Sequence, residues 1–563
     1  MKNKIAIIII TVIYIALSLW ITNFAIKALT SRYSPEKSII SFFDDDVVNL
    51  VIEDELIRDS APPVIEGREI LLPFDVIKNY IDDTIYYDNE RAILTITSED
   101  KVIRMNSNEL QAYLNMEEYR LDVSSKFING VLYVPVMAFK DIFSIEVTYL
   151  ENDNVVIVDQ LKNYKMIGYI NNEQAVIRSD MSLYKPIYKV YNPNDITVTV
   201  YGTDGEWTKV RTGNGVIGYI ESKYLKTEMK YGKVVIDIRK DIPGEIETII
   251  FAWEAFYNQT NGDADITEND VLNIISPTWF KVADLSGNIE SFAAITYVEK
   301  AHELGYQVWP LISNTFTDID MTSEVLNNTD VRDNIIRQLV AYSSLYQLDG
   351  ISLDFENIYL KDKDAYTQFI RELVPFLHKA NIKLSVAVGI PGGSDTYSKC
   401  YDHEKIGEIA DYVMVMTYDQ YYGGSTVAGS QAQVSWMSSK LKETLKLVSN
   451  EKLVMGIPLY TRLWEITSER ARNIRNYSID GAKKLIEEKN ASLLWDSESG
   501  QYVATYYEEG KTYKMWLEDE SSLKEKVSLV NTYELRGICM WELNWGNDTI
   551  WDAISQTISK GSE

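Results

Sequence analysis

The sequence contains the segment Asp349-Gly350-Ile351-Ser352-Leu353-Asp354-Phe355-Glu356, in which polar and apolar residues alternate. Successive side chains of a β-strand point to opposite faces, so Ser352, Asp354 and Glu356 share one face and the three apolar residues share the other. The pattern predicts a strand whose apolar side packs against helices and whose polar side faces the interior of a barrel.

The two carboxyl groups on the polar face, Asp354 and Glu356, suggest acid–base chemistry. Like charges two residues apart on a buried face repel each other and lose hydration, which raises a carboxyl pKa. A glutamic acid in that position can donate a proton near neutral pH. The alternative is a pair of solvated acids at an exposed strand end.

Further apolar runs recur along the C-terminal part of the chain, separated by helical patterns such as Val331 to Leu345 and Lys363 to Ala380. Strands alternating with helices indicate a parallel sheet, and eight such units indicate a closed (β/α)8 TIM barrel with its active site at the carboxyl ends of the strands. A longer stretch at about 465–530 predicts an α+β insertion beside the cleft. The eight runs are 249–256, 271–280, 306–314, 350–358, 383–390, 411–419, 452–460 and 537–545.

Four of these runs carry motifs in a consistent order. They are the segment 349–356, then Met416, Tyr418 and Asp419, then Gly456 to Arg462 with Tyr460, then Trp541. Together they resemble glycoside hydrolase family 18 over roughly 330 residues. The runs around Trp253-Glu254, 276–280 and 308–314 are similar, more narrowly, to a bacterial branch of spore cortex-lytic and wall-acting glucosaminidases.

The resemblance implies a retaining, substrate-assisted glycoside hydrolysis. The carbonyl oxygen of the sugar's 2-acetamido group attacks the anomeric carbon, a cyclic oxazolinium forms, and water opens it. In this scheme Glu356 protonates the leaving oxygen and later activates water. Asp354 orients the acetamido NH, and Tyr418 hydrogen-bonds the acetamido oxygen.

The resemblance also implies a set of substrate-binding residues. Trp541 forms the floor under the sugar; the alternative for Trp541 and Met416 is a place in the barrel core. The alternative for Arg462 is a structural ion pair. One position departs from the family, because Ser352 stands where the family has its inner aspartate, which affects the expected proton relay. The full substrate-binding set is Asp419, Met416, Trp541, Arg462, Tyr460, Trp253 and Glu254.

Two smaller modules are predicted before the barrel, which is assigned to 232–563. Residues 45–160 contain a repeated turn, strand ending at proline, helix and hairpin, which predicts a duplicated α+β module. It resembles the copper amine oxidase N-terminal domain, without implying copper. Residues 166–228 predict a small all-β barrel that resembles a bacterial SH3 domain. Trp207 and Tyr219 are its candidate contacts with wall peptides, and the alternative for Trp207 is a place in the core.

The bulk composition narrows the function classes. The net charge of −28 argues against nucleic acid as a partner, since phosphates need a basic surface. Two cysteines, Cys400 and Cys539, do not form a disulfide framework, and three histidines show no metal-ligand spacing. We therefore expect no metal site and no cofactor.

The N-terminus carries an uncharged apolar run from Ile5 to Ile26 after Lys2 and Lys4. A run of this length predicts an uncleaved transmembrane anchor, and hence a single-pass protein of the cell membrane with an extracellular catalytic domain. A cleaved signal peptide, which would make the protein secreted, is the alternative.

Three functions compete at this point. The first is an enzyme that cleaves a β-1,4-linked N-acetylglucosamine polymer, either peptidoglycan or spore cortex, with chitin as the rival substrate. The second is a non-catalytic protein that binds wall glycan, which loss of the acid would indicate. The third is a purely structural wall protein. Glu356 is present, which favours the enzyme.

Overall fold

The computed structural model describes residues 14–26, 39–161, 165–172, 175–188, 197–230, 246–257, 266 and 268–559. The chain forms two compact units. The first consists of 1–85, 104–113 and 117–239, and the second of 86–103, 114–116 and 240–563.

The region predicted as a duplicated module is made mostly of short strands. The first predicted copy contains Val64–Glu66, Glu69–Pro73, the helix Phe74–Tyr80, and the hairpin of Tyr86–Asp88 and Ile93–Thr97. The second contains Lys126–Ile128, Val131–Pro135, a 3₁₀ turn Met137–Phe139, and the hairpin of Ile145–Leu150 and Val155–Gln160. The remaining strands are Ile39–Ile40, Asn49–Ile52, Glu55–Ile57, Val102–Asn106, Gln111–Leu114 and Glu117–Arg120.

The two proline-ended strands of this region pair with each other. Glu69–Pro73 runs antiparallel to Val131–Pro135, with Leu72 opposite Val134. The helix predicted after the second strand is a 3₁₀ turn, Met137–Phe139, in which the N–H of Phe139 donates to the carbonyl oxygen of Val136 three residues earlier.

The next region is all β, as its short alternating runs predict. The described part of this region forms one five-stranded antiparallel sheet, and Ile187–Tyr188 instead pairs in parallel with Ile39–Ile40. Half-buried Trp207 and Tyr219 lie on neighbouring strands of the five-stranded sheet. The likeness to an SH3 domain, the binding of wall peptides and the module boundaries remain predictions. The strands are Lys165–Ile170, Ile187–Tyr188, Thr197–Asp204, Trp207–Thr212, Ile217–Glu221 and Leu225–Lys230, with a 3₁₀ turn at Ser222–Tyr224.

The second unit contains the predicted barrel. Its first strand pairs in parallel with both the second and the eighth, which closes the sheet on itself. The third strand is split at Trp309 and Pro310, because proline has no N–H for the ladder. The strands are Ile249–Glu254, Ile274–Pro277, Gln307–Val308 with Leu311–Ser313, Gly350–Asp354, Lys383–Gly389, Tyr412–Met416, Leu453–Pro458 and Gly537–Trp541.

Helices form the outer layer of this unit. The helix Thr329–Leu345 begins at Asn328, whose side chain accepts hydrogen bonds from the N–H groups of Asp330 and Val331. The other helices are Ile295–Glu303, Ile319–Leu326, Lys363–Lys379, His403–Ile409, Val434–Thr444, Glu520–Tyr533 and Asp548–Ser559. Short elements are the strands Phe280–Val282 and Ile289–Ser291 and the 3₁₀ turns Leu360–Asp362 and Leu543–Trp545.

The predicted insertion is present, but its bounds differ from 465–530. It begins already at Tyr460, because that strand pairs with the sheet of the insertion. It ends before Glu520–Tyr533, whose Leu523 and Val527 pack in the outer core of the barrel. Its elements are the strands Tyr460–Ile466, Ala471–Ser478, Ser492–Asp496, Gln501–Glu508 and Lys511–Trp516, and the helix Ile479–Lys489.

The predicted transmembrane anchor at Ile5–Ile26 is wrong. Residues 5–13 lie outside the described residues, and the described helix covers 14–26. In the described part of the chain, no helix is both long enough and apolar enough to cross a bilayer. A single-pass protein of the cell membrane is therefore not supported.

Candidate active site

The fourth barrel strand has the alternation that its sequence predicts. Ile351, Leu353 and Phe355 are fully buried in the outer core, beneath the helices. Ser352, also fully buried, accepts a hydrogen bond of 3.3 Å from Nε1 of Trp253, which belongs to the core inside the barrel. The polar face of the strand therefore points into the barrel.

A glycine makes room for the packing inside the barrel. A Cβ on Gly350 would lie 2.4 Å from the indole ring of Trp309. The absence of a side chain lets Trp309 fill the interior below Ser352, so the polar residues of the strand rest on an apolar base.

Glu356 lies just beyond the carboxyl end of this strand. Burial, and then the negative charge of Asp419, raise the pKa of Glu356 to about 7. Burial and the nearby Glu356 raise the pKa of Asp354 well above its usual range. Oδ1 of Asp354 is buried and has no hydrogen-bond partner among the described residues. Two interacting acids, one of them with a near-neutral pKa, thus share the end of the strand.

The sixth strand brings Tyr418 and Asp419 to the same edge. Tyr418 fits there because Gly456 has no side chain: a Cβ would lie 2.9 Å from Cε1 of the Tyr418 ring. Burial raises the pKa of the Tyr418 hydroxyl well above its usual range, and smaller contributions come from Asp354 and Glu356. Tyr418 is therefore a neutral hydrogen-bonding group near both acids. Met416 is the last residue of the strand and is partly buried.

Asp419 is held by two residues of the inserted lobe. The hydroxyl of Tyr460 and the guanidinium of Arg462 both donate to Oδ1 of Asp419. The Arg462 guanidinium also lies 5.0 Å from the centre of the Tyr460 ring and donates to Oδ1 of Asn476 at 3.1 Å. Arg462 thus forms the structural ion pair that was its alternative role, and the partner of Arg462 in this pair is Asp419.

The predicted aromatic residues lie on the first and eighth strands. Trp253 and Trp541 occupy paired positions, with ring centres 6.3 Å apart. Trp541 is partly exposed, whereas Trp253 is only 2% exposed and is bonded to Ser352. Trp253 therefore lies beneath the site rather than at its surface.

Glu254 has partners away from Glu356. It accepts a hydrogen bond from the hydroxyl of Tyr297, which lies on an outer helix and is fully buried. Burial raises the pKa of Glu254, while the bonds from Tyr297 and Asn544 lower it. These contacts connect the first strand to the outer layer.

The sequence did not indicate Asn314, which directly follows the third strand. Its side chain forms two hydrogen bonds with the main chain of Glu356, one of 2.8 Å and one of 3.0 Å. A polar residue at the carboxyl end of a barrel strand is the signal that could have identified it.

These groups combine a proton donor of near-neutral pKa with a buried carboxyl, a neutral tyrosine and a partly exposed aromatic ring. Such a set can protonate a leaving oxygen while an aromatic face supports a sugar ring. Among the described residues, no group of three or more His, Cys, Asp and Glu side chains is placed to hold a metal ion.

Comparison with known families agrees with the predicted resemblance. The sequence model described as "Glycosyl hydrolases family 18" matches residues 216–546, more than half of the chain. The model described as "Copper amine oxidase N-terminal domain" matches residues 51–158.

Individual relatives match the barrel region. The uncharacterized glycosylase YvbX of Bacillus subtilis (strain 168) is 30% identical over 269 residues, which make up 46% of this chain and 76% of that protein. The cortical fragment-lytic enzyme of the same organism is 27% identical over 251 residues, 44% of this chain and 58% of that protein. The solved C-terminal domain of a putative chitinase from Desulfitobacterium hafniense DCB-2 covers 56% of this chain and 100% of that domain, with a TM-score of 0.50 at 21% identity. The relatives confirm the predicted cortex-lytic branch, and the solved domain confirms the barrel fold.

Proposed function

The chain belongs to glycosyl hydrolase family 18 and is a glycosidase of that family, and from this premise we propose that it cleaves the β-1,4-linked N-acetylglucosamine polymer of peptidoglycan or spore cortex. The relative named cortical fragment-lytic enzyme supports this choice of substrate over chitin. The observation that carries the catalytic part of the proposal is Glu356, an acid with a pKa of about 7 at the carboxyl end of the fourth strand.

The proposed reaction is retaining and uses the substrate's own acetamido group. The acetamido carbonyl oxygen attacks the anomeric carbon and breaks its bond to the leaving oxygen, which takes the proton of Glu356. The resulting oxazolinium is positively charged. Glu356, now a carboxylate, removes a proton from the water that opens the ring, and the acid form is regenerated.

Asp354 and Tyr418 have supporting roles in this proposal. As the acetamido oxygen attacks, the acetamido NH gains positive character, and Asp354 stabilises that charge by accepting a hydrogen bond from the NH. Its unpartnered Oδ1 supports this role, because a buried acceptor without a partner is costly until a ligand satisfies it. Tyr418 donates to the acetamido oxygen; its raised pKa keeps the hydroxyl protonated and able to donate.

Substrate binding is assigned to the groups around these residues. Trp541 provides the aromatic surface under the sugar, and Met416 contributes from the carboxyl end of the sixth strand. Asp419 accepts hydrogen bonds from sugar hydroxyls, held in place by Tyr460 and Arg462. A glycan that binds there contacts both the barrel and the lobe.

The experiment is digestion of purified peptidoglycan and of chitin oligomers by the protein, with mass analysis of the new ends. The proposal expects N-acetylglucosamine at the new reducing ends of peptidoglycan fragments and inhibition by thiazoline mimics of the oxazolinium. Glu356→Gln keeps the size of the side chain but removes its acid, so turnover should fall by about 10²- to 10⁴-fold. Cleavage of chitin but not of peptidoglycan would make chitin the substrate. Efficient cleavage of a fully de-N-acetylated glycan would contradict the substrate-assisted mechanism.

A further inference from the structure

The main chain of Glu356 is held by a single side chain, that of Asn314. Nδ2 of Asn314 donates to the carbonyl oxygen of Glu356 at 2.8 Å, and the N–H of Glu356 donates to Oδ1 of Asn314 at 3.0 Å. Nδ2 also donates to Oγ1 of Thr322 at 2.9 Å. Asn314 is 3% exposed, so these bonds are shielded from water.

These bonds begin where the sheet ends. The ladder between the third and fourth strands ends with Ser313 opposite Asp354, two residues before Glu356. Asn357, the residue after Glu356, has a φ of 54°, so the chain turns away at once. The carboxamide of Asn314 therefore takes the place of ladder bonds for the residue that carries the acid.

The carboxylate of Glu356 receives no hydrogen bond from any described residue. Its position consequently depends on its own main chain. Because a misplacement of about 1 Å can reduce a rate by about 10²-fold, the bonds that fix this main chain bear on catalysis.

We propose that Asn314 is a positioning residue that fixes the main chain of Glu356 and thereby aims its carboxyl group at the leaving oxygen. The inference rests on the proposed role of Glu356 as general acid. Glu356 protonates the leaving oxygen in the first step and activates water in the second, and only the first step depends on the leaving group. The nature of the leaving group, read through kcat/KM, therefore provides a specific test.

The test compares an N-acetylglucosamine oligomer, whose sugar leaving group needs protonation, with a nitrophenyl N-acetylglucosaminide oligomer, whose nitrophenolate leaves with little need for a proton. Asn314→Ala should lower kcat/KM on the sugar linkage by about 10²-fold and should lower it far less on the nitrophenyl substrate, because kcat/KM reports the steps up to departure of the leaving group. Loss of the fold or of general packing would reduce both reactions equally. Equal losses in a variant that folds like the parent, or no loss, would overturn the proposal.

A second variant covers the case in which Asn314→Ala does not fold. Asn314→Asp has the same shape, and as a carboxylate it cannot donate to the Glu356 carbonyl. Once protonated, the new acid can donate again. The ratio of kcat of this variant to that of the parent on the sugar linkage should therefore rise as pH falls; a ratio that stays constant with pH would count against the inference.

The matched control is Asn334→Ala. Nδ2 of Asn334 likewise donates to a main-chain carbonyl, that of Ser286 at 2.8 Å, but on an exposed helix surface. Its kcat should equal that of the parent on both substrates. Glu356→Gln separates the two proposals: if it cleaves the sugar linkage normally, the proposed function fails, whereas an inactive Glu356→Gln with a fully active Asn314→Ala contradicts only the positioning role.

Discussion

Glu356 is in the acid form below a pKa of about 7, which burial and the charge of Asp419 produce. Because catalysis needs the protonated acid, kcat/KM should be highest below about pH 7 and should fall about tenfold per pH unit well above it. The measurement is the pH profile of kcat/KM on an N-acetylglucosamine oligomer. If the rate already declines above about pH 4, as expected for an exposed glutamic acid, Glu356 is not the donor.

Ser352 allows a second test of the same acids. Ser352→Asp adds a third carboxylate to the interior, and like-charge repulsion should raise the apparent pKa values of Asp354 and Glu356. The descending limb of the kcat/KM profile should therefore move to higher pH. Ser352→Asn is the control, because asparagine is as large as aspartate but neutral. It should leave the descending limb at the same pH as in the parent. If both variants shift it equally, the cause is packing rather than charge.

At the level of single residues, the sequence supports predictions that depend on periodicity. The inward position of Ser352 follows from the two-residue repeat of a strand, and its hydrogen bond from Trp253 inside the barrel agrees with it. Asn314 could not be assigned in this way, since its bonds to Glu356 join residues 42 positions apart. The contact between Asp419 and Arg462 could not be predicted from periodicity either, because it depends on where the inserted lobe begins.

Two outer helices are joined by a fully buried ion pair. Arg332 donates to Glu372 through Nε at 3.1 Å and Nη2 at 2.9 Å, and both side chains are 0% exposed. Glu372→Ala leaves a buried, unpaired guanidinium, so the free energy of unfolding should fall by about 3–5 kcal/mol. Denaturant unfolding measures it.

The control lies on the same helix. Asp333 pairs with Arg337 at 2.6 Å, but the arginine side chain is 53% exposed. Asp333→Ala should therefore cost less than about 1 kcal/mol. Equal costs for the two changes would show that burial does not set the strength of the pair.

At the level of elements, strand and helix positions were predictable but their assignments to sheets were only partly so. The helical pattern Val331 to Leu345 corresponds to the helix Thr329–Leu345. The run 452–460, in contrast, belongs to two sheets, because Tyr460 begins the sheet of the lobe. Pairing between distant strands decides this, and a local pattern carries no information about it.

The whole chain carries a net charge of −28. Peptidoglycan bears carboxylates, so at low salt the protein and this substrate should repel each other, and added salt should screen the repulsion. KM for soluble peptidoglycan fragments should therefore decrease as NaCl is raised from about 0.01 to 0.3 M. Neutral chitin oligomers are the control and should show a constant KM. If KM changes with salt in the same way for both substrates, charge repulsion is not the cause.

The closure of the barrel also has a consequence for the order of synthesis. Ile249 of the first strand pairs with Gly537 of the eighth, 288 positions later in the chain. At roughly 5–20 residues per second, a ribosome needs roughly 15–60 s to make the intervening segment. Throughout that time one edge of the first strand lacks its final neighbour and is open to pairing with other nascent chains. Newly made protein should therefore depend on chaperones until the eighth strand has left the ribosome.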